Sequence, residues 1–352
     1  MVEAIQWRVS GRAGTRCGSG GTEDAARVVP RRAWLALLLA GGGTAIAGRW
    51  GAQAAENGPD TAVERARRSL LLSVARVGPR LVAVGAYGNV LFSDDDAATW
   101  RLAPSGTGAV LTAVAFGASG AGWAVGYDAT ILRTADGGAT WSVQREETKD
   151  DKALFSVAGI TADGAAGAAA LAVGAYGLAL ERGEGGWNPV RVESGGDQDD
   201  YHLNAAARLA DGTLLIVGEA GQAYRRLPGE EGWATLPLPY QGSQFGCLPM
   251  RDGGALSFGL RGSLFRLADG DTPKWSRIET GTQAGFMGGA VLQDGRVALV
   301  GADGTVLVGD PGGHGLKPAP FPDRQTLSGV AEARDGRLVV VGERGVSVLE
   351  AP

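Results

Sequence analysis

From Leu81 to Ser93 the chain reads LVAVGAYGNVLFS: an apolar run, a glycine, two variable residues, a second glycine and another apolar run. The phrase returns as GWAVGYDATILRT (Gly122 to Thr134), LAVGAYGLALER (Leu171 to Arg182) and LLIVGEAGQAYRR (Leu214 to Arg226). It continues as ALSFGLRGSLFRL (Ala255 to Leu267), VALVGADGTVLVG (Val297 to Gly309) and LVVVGERGVSVL (Leu338 to Leu349). Its first glycine falls at 85, 126, 174, 218, 259, 301 and 342, at intervals of 41, 48, 44, 41, 42 and 41 residues. A period of that length marks an array of like units, not two or three unrelated domains. Each phrase reads as two strands joined by a tight hairpin, with glycine supplying the positive φ that such a turn needs. An apolar segment precedes each phrase, as at Leu111 to Phe116, and a Trp opens a short run after it at Trp100, Trp141, Trp187, Trp233 and Trp275. Four antiparallel strands per unit predict an all-β, seven-bladed β-propeller over residues 69–352. The seventh unit stops after Leu349 with no fourth strand, so residues 55–68 are expected to form a linker or closing segment. Within them, Ala62 to Arg68 reads as readily helical as extended.

Composition agrees with this reading. The 352 residues include 59 Gly, and 44% are hydrophobic against 20% charged. Such a chain can bury a core and is not disordered. Two Cys and two His leave little for a metal centre or thiol chemistry. No cofactor is expected.

Residues 1–54 read as an export signal. Arg31 and Arg32 precede an apolar run from Ala33 to Ala47, and Ala52-Gln53-Ala54 supplies a small-residue cleavage site. The string from Arg31 to Leu35 is also compatible with twin-arginine export, and the true start is expected near residues 28–29. Removing this segment leaves 26 basic and 35 acidic residues, a net charge of −9. An acidic exported protein fits neither nucleic acid nor an anionic membrane surface. Cys17 leaves with the signal, so Cys247 has no intramolecular partner. The expected location is the periplasm, or the thylakoid lumen in a photosynthetic cell.

Two turns between third and fourth strands carry a sharper motif. Thr134-Ala-Asp136-Gly-Gly138-Ala-Thr140-Trp141 matches the Asp-box pattern S/T-x-D-x-G-x-T-W in full. Ser93-Asp-Asp95-Asp-Ala97-Ala-Thr99-Trp100 matches it with Ala in place of Gly. A carboxylate and two hydroxyls at this spacing can satisfy the turn's own backbone, while the Trp anchors the hairpin between blades. Recurrence at equivalent places in neighbouring blades favours a structural role over catalysis.

Together with Ala83-Val-Gly-Ala-Tyr-Gly88, this motif resembles the photosystem II stability and assembly factor family. The resemblance is strong over the first two blades and weaker beyond Trp187. It implies a non-enzymatic propeller that binds membrane-protein subunits and helps them assemble. With 29 Arg and 4 Lys the composition resembles that of a high-GC bacterium. There the partner would be a photosystem-like or another membrane complex, such as an exporter. A monomeric ring without a small-molecule substrate is expected.

The rival is a sialidase-like exo-glycosidase, another Asp-box propeller class. It needs three carboxylate-clamping arginines and an aromatic-Arg-Ile/Leu-Pro string ahead of the first Asp box. The nearest string, Arg225-Arg226-Leu227-Pro228, comes late and lacks the aromatic. His202 and His314 read as isolated loop residues, and Asp197 to Asp200 as a solvated loop. Partner binding is instead assigned to the tips between second and third strands, at Tyr87, Tyr127, Asp128, Tyr176, Glu219, Arg261, Asp303 and Arg344. Tyr and Arg favour such a role, being enriched at interface hot spots. The loops from Arg145 to Lys152 and Glu193 to His202 flank the same face.

Overall fold

The computed structural model describes residues 59–148, 152–158, 170–192, 201–268, 270 and 273–352. The expected export signal, Cys17 and the acidic run from Asp197 to Asp200 lie outside the described residues, as does most of the loop from Glu193 to His202. Seven antiparallel sheets follow one another along the chain, six of four strands and the last of three. Their first strands are Leu71–Val77, Leu111–Phe116, Leu154–Ala158, Leu203–Arg208, Gln244–Pro249, Phe286–Val291 and Leu327–Glu332. These strands pack against one another in sequence, and Leu71–Val77 meets Leu327–Glu332 to close the ring. The protein is a seven-bladed β-propeller.

The sequence pattern follows from burial. Second strands such as Gly122–Gly126 and Val297–Gly301 are buried at every residue. A strand covered on both faces needs no polar alternation, so it reads as a continuous apolar run. Alternate side chains then serve opposite neighbours. Leu81 and Ala83 enter the cluster shared with blade 7, while Val82 and Val84 enter the one shared with blade 2. Each of the seven blade junctions has its own apolar cluster among the described residues.

The expected positive φ is found at the second glycine of the phrase, as at Gly88 and Gly177, and not at the first. The first glycine of each phrase does not supply positive φ: Gly85 has φ −178° and Gly301 −175°, which is extended backbone. Its role is close approach. A Cβ on Gly85 would stand 2.2 Å from the carbonyl oxygen of Leu70, and on Gly126 2.0 Å from that of Val110. Each carbonyl accepts the N–H of the residue after the glycine, Ala86 at 2.9 Å and Tyr127 at 2.9 Å. Positive φ belongs to the next pair, Tyr87 at 60° and Gly88 at 65°. That pair defines a type I′ hairpin turn.

The closing segment is a helix, α1 (Pro59–Arg67). Proline is tolerated in a first helical turn, and Glu64 pairs with Arg67 at 3.3 Å and Arg68 at 3.6 Å. Buried Ala66 and half-buried Val63 pack with Val346, Val341 and Leu91 at the junction of blades 7 and 1. The exit from α1 replaces the end of a fourth strand. In blade 7 the Arg67 carbonyl lies 1.8 Å from a Cβ built on Gly345, as the Thr107 carbonyl lies 2.1 Å from one built on Gly88. A polar clasp spans the same junction: Arg334 Nη2 reaches Asp96 at 2.9 Å, and the Arg334 N–H donates to Asp96 at 2.9 Å. At the other end Arg296 donates to the Pro352 carbonyl at 2.5 Å, which ties the last residues to blade 6.

Candidate functional site

The tips between second and third strands form one end of the ring, and the turns between first and second strands and between third and fourth form the other. At the tip end a non-glycine residue sits at positive φ in six blades: Tyr87, Asp128, Tyr176, Ala220, Arg261 and Asp303, at 52–60°. Left-handed backbone costs an ordinary L-residue about 1–2 kcal/mol, which Gly would avoid. Yet Tyr87 is 79% exposed, so packing does not explain its choice, whereas Tyr176, 57% exposed, rests its ring on His202. Tyr127 precedes the apex of its tip and is 50% exposed. In blade 4 the apex is Ala220, with Glu219 one residue ahead of it.

The other predicted tip residues differ in freedom. Arg261 and Asp303 are exposed. Arg344 is held by Asp323 at 2.5 Å, and its N–H by Gln325 at 2.7 Å. Glu219 accepts the His202 N–H at 2.9 Å. His202, expected to be isolated, is the hub of a small cluster. Its Nδ1 accepts the Tyr176 N–H at 3.1 Å, and its ring meets Tyr176 at 4.8 Å and Phe155 at 5.7 Å. Tyr176 and Glu219 are thus brought together through His202. No hydrogen bond or ring contact among the described residues joins Tyr87, Tyr127, Arg261 and Asp303 to one another.

Sequence reading missed a second feature at this end. All seven first strands carry a bulge at their second residue: Leu72, Thr112, Phe155, Asn204, Phe245, Met287 and Ser328. A bulge re-aims one side chain out of the pleat. Thr112 uses this to donate to the Leu154 carbonyl of the next blade at 2.6 Å, and Asn204 to that of Gln244 at 3.0 Å. The available signal is a polar or aromatic residue at the second position of the run in five of the seven strands, Leu72 and Met287 being the exceptions.

At the opposite end the two motif turns are saturated internally. Asp95 accepts the Thr99 hydroxyl at 2.6 Å, the Thr99 N–H at 2.9 Å and the Ser93 hydroxyl at 2.8 Å. Asp136 accepts the Thr140 hydroxyl at 2.6 Å, the Thr140 N–H at 3.0 Å and the Thr134 hydroxyl at 2.8 Å. Gly138 has φ 86°, and Ala97 takes 68° at the same place. Trp141 donates to the Gly138 carbonyl at 3.0 Å and meets Phe116 edge-on at 6.1 Å. Trp100 is buried between blades 7 and 1.

Hydrogen bonds from the Thr99 hydroxyl and N–H hold the Asp95 carboxyl at about 2, below its ordinary 3.8. Asp94 is lowered by Arg80 and Asp96 by Arg334. A carboxylate lowered by folding stabilises the fold above its unfolded value and ceases to as pH falls through its folded one. The denaturation midpoint is therefore expected to fall between pH about 4 and about 2, and Asp95→Asn to flatten that slope. A midpoint constant across this window would contradict the assignment.

Burial pushes the Cys247 thiol up to about 12. Among the described residues no group of three His, Cys, Asp or Glu is placed to hold a metal, and no helix is long and apolar enough to cross a membrane.

Residues 92–288 match the family model described as photosynthesis system II assembly factor YCF48. Photosystem II assembly lipoprotein Ycf48 of Synechococcus sp. strain CC9902 is 28% identical over 231 residues, 64% of this chain and 66% of that relative. The strain CC9605 counterpart is 31% identical over 144 residues, 39% of this chain and 43% of that relative. The matched region thus spans just under two thirds of one relative's length and less than half of the other's. Among solved structures, YCF48 from Cyanidioschyzon merolae has a TM-score of 0.63 at 18% identity, covering 81% of this chain and 96% of its own. YCF48 bound to D1 peptide gives 0.63 at 18% identity, covering 81% and 94%. The WD40 propeller of Doa1 gives 0.64 at 14% identity, with the same coverage. At such identities the likeness speaks for the fold.

Proposed function

This chain belongs to the family of photosynthesis system II assembly factor YCF48, and on that premise we propose that it is a non-enzymatic, exported scaffold that helps a membrane-protein complex assemble. It works as a monomeric ring in the periplasm, or in the thylakoid lumen of a photosynthetic cell, after loss of residues 1–54. Its partners are membrane-protein subunits, of a photosystem or of another complex such as an exporter. A solved family structure is described as bound to D1 peptide, which supports peptide recognition as the mode of action.

We assign the tip face as the contact surface. The observation that carries this is the pair Tyr87 and Tyr176, kept at φ 60° and 52° while 79% and 57% exposed. Tyr87, an aromatic held in a costly conformation and left in solvent, is unexplained by folding and suits an interface anchor, while Tyr176 also presents an exposed ring beside its His202 contact. Tyr127, Asp128, Glu219, Arg261, Asp303 and Arg344 complete the face. The Asp-box residues Ser93, Asp95, Thr99 and Trp100, with Thr134, Asp136, Gly138, Thr140 and Trp141, are structural in this reading.

Two observations weigh against a glycosidase. Arg226, in the string nearest to a sialidase signature, pairs with Glu181 at 2.6 Å and lies 4.9 Å from the centre of the Trp233 ring. Asp95 and Asp136 are engaged by their own turns.

The test is the double variant Tyr87→Gly with Tyr176→Gly. Glycine fits positive φ, so the relief at both turns is expected to offset the loss of the Tyr176 ring contact with His202 and to keep the ring folded. Capture of detergent-solubilised membrane subunits from the source cells should fall at least about tenfold. Undiminished capture by a folded variant would overturn the tip face as the contact surface.

A further inference from the structure

We propose that the axial mouth of the ring, at the end opposite the tips, is a binding site for a monocarboxylate. A cavity of about 360 Å³ opens there between the first strands of blades 6, 7 and 1, with Arg251 of blade 5 on its rim. That volume lies within the range of pockets that hold small ligands. Its lining runs along Val74 to Arg76, Gly289 to Gln293 and Val330 to Glu332, the ends of three first strands.

Its charges are unspent. Arg76, exposed at the end of Leu71–Val77, has no ion pair or hydrogen bond among the described residues. Arg251 donates from Nη2 to the carbonyls of Leu292 at 3.0 Å and Gln293 at 2.8 Å, and has no carboxylate partner among the described residues. Glu332 accepts the Gln293 N–H at 2.5 Å and likewise has no cationic partner among them. Two guanidinium groups and one carboxylate leave a single net positive charge. A guanidinium recognises a carboxylate through paired hydrogen bonds, and Arg76 is free to make them. Glu332 in the same lining opposes a doubly charged phosphate.

The chemistry is shared by a free short-chain acid and by the carboxyl end of an extended peptide, and the experiment separates them. This site lies at the other end of the ring from the tip face and does not depend on that reading. The full chain is titrated calorimetrically with hexanoate, with acetyl-Ala-Val-Leu bearing a free carboxylate, with the same peptide as its amide, and with inorganic phosphate.

At least one of the two acids is expected to bind at millimolar concentration or below, with the amide and phosphate at least about tenfold weaker. Binding of the peptide acid alone assigns a peptide terminus, and binding of hexanoate assigns a free acid. Arg76→Gln should weaken binding at least about tenfold, with Arg76→Lys intermediate. Arg76 has no partner to lose, so this variant is expected to fold. The Tyr87→Gly, Tyr176→Gly protein should bind the acid unchanged, which distinguishes failure here from failure of the tip face. Equal binding of acid and amide, full binding by Arg76→Gln, or no binding of either acid would each overturn the proposal.

Discussion

Trp100→Ala is expected to lower the stability of the ring by about 3–5 kcal/mol, the scale of truncating a buried Trp. Trp100 is only 7% exposed and packs with Leu91, Val339, Val341 and Ala66, so it joins two blades and α1 at one place. That junction closes the ring with a three-stranded blade on one side and a helix in place of the fourth strand. Its Nε1 has no hydrogen-bond partner, a cost already borne by the folded state. The loss should therefore fall in the lower half of the range, and Trp100→Phe should lose less than about 1.5 kcal/mol. Trp141 is only partly buried, so its truncation should cost less than that of Trp100. Equilibrium urea unfolding reads all three. A Trp100→Ala loss below about 1 kcal/mol would mean that the closing junction contributes little.

Gly126→Ala is expected to cost about 3 kcal/mol, more than a glycine-to-alanine change usually can. The new Cβ would lie 2.0 Å from the Val110 oxygen and 2.9 Å from the Leu111 Cα, both backbone atoms. Relief requires the strand start to move, which strains the Tyr127 N–H to Val110 hydrogen bond at 2.9 Å. Gly108→Ala is the control, since nothing lies within 4 Å of its Cβ position. It should change stability by less than about 0.5 kcal/mol. Equal effects of the two substitutions would refute close approach as the reason for the first glycine.

Those glycines show how far a sequence can be read. Their positions mark every hairpin, and the period of the phrase counts the blades. Their physical reason was not legible, because the atom that excludes a side chain at Gly126 belongs to Val110, just ahead of the first strand of the same blade. The candidate sites divide in the same way. Tyr87, Tyr127 and Tyr176 can be placed on tips from the phrase alone. That Tyr87 and Tyr176 sit at positive φ, and that Arg344 and Glu219 are already engaged, depends on neighbours far along the chain. His202 looks solitary in sequence because Phe155 and Tyr176 reach it from another blade.

The amino-acid sequence by itself determined seven like units, their strands, their turns and the family resemblance. These are local properties, set by runs of apolar residues and by the few residue types that a tight turn accepts, and the repeat states them seven times. Only the tertiary structure decided how the ring closes and what gathers at its axis. Residues 62–68 suit a helix or a strand, and packing of Val63 and Ala66 against blades 7 and 1 selects the helix. Arg76, Arg251 and Glu332 line one cavity because seven sheets curl until the first blade lies beside the last. No local pattern records such a meeting, since it depends on the sum of every blade-to-blade rotation.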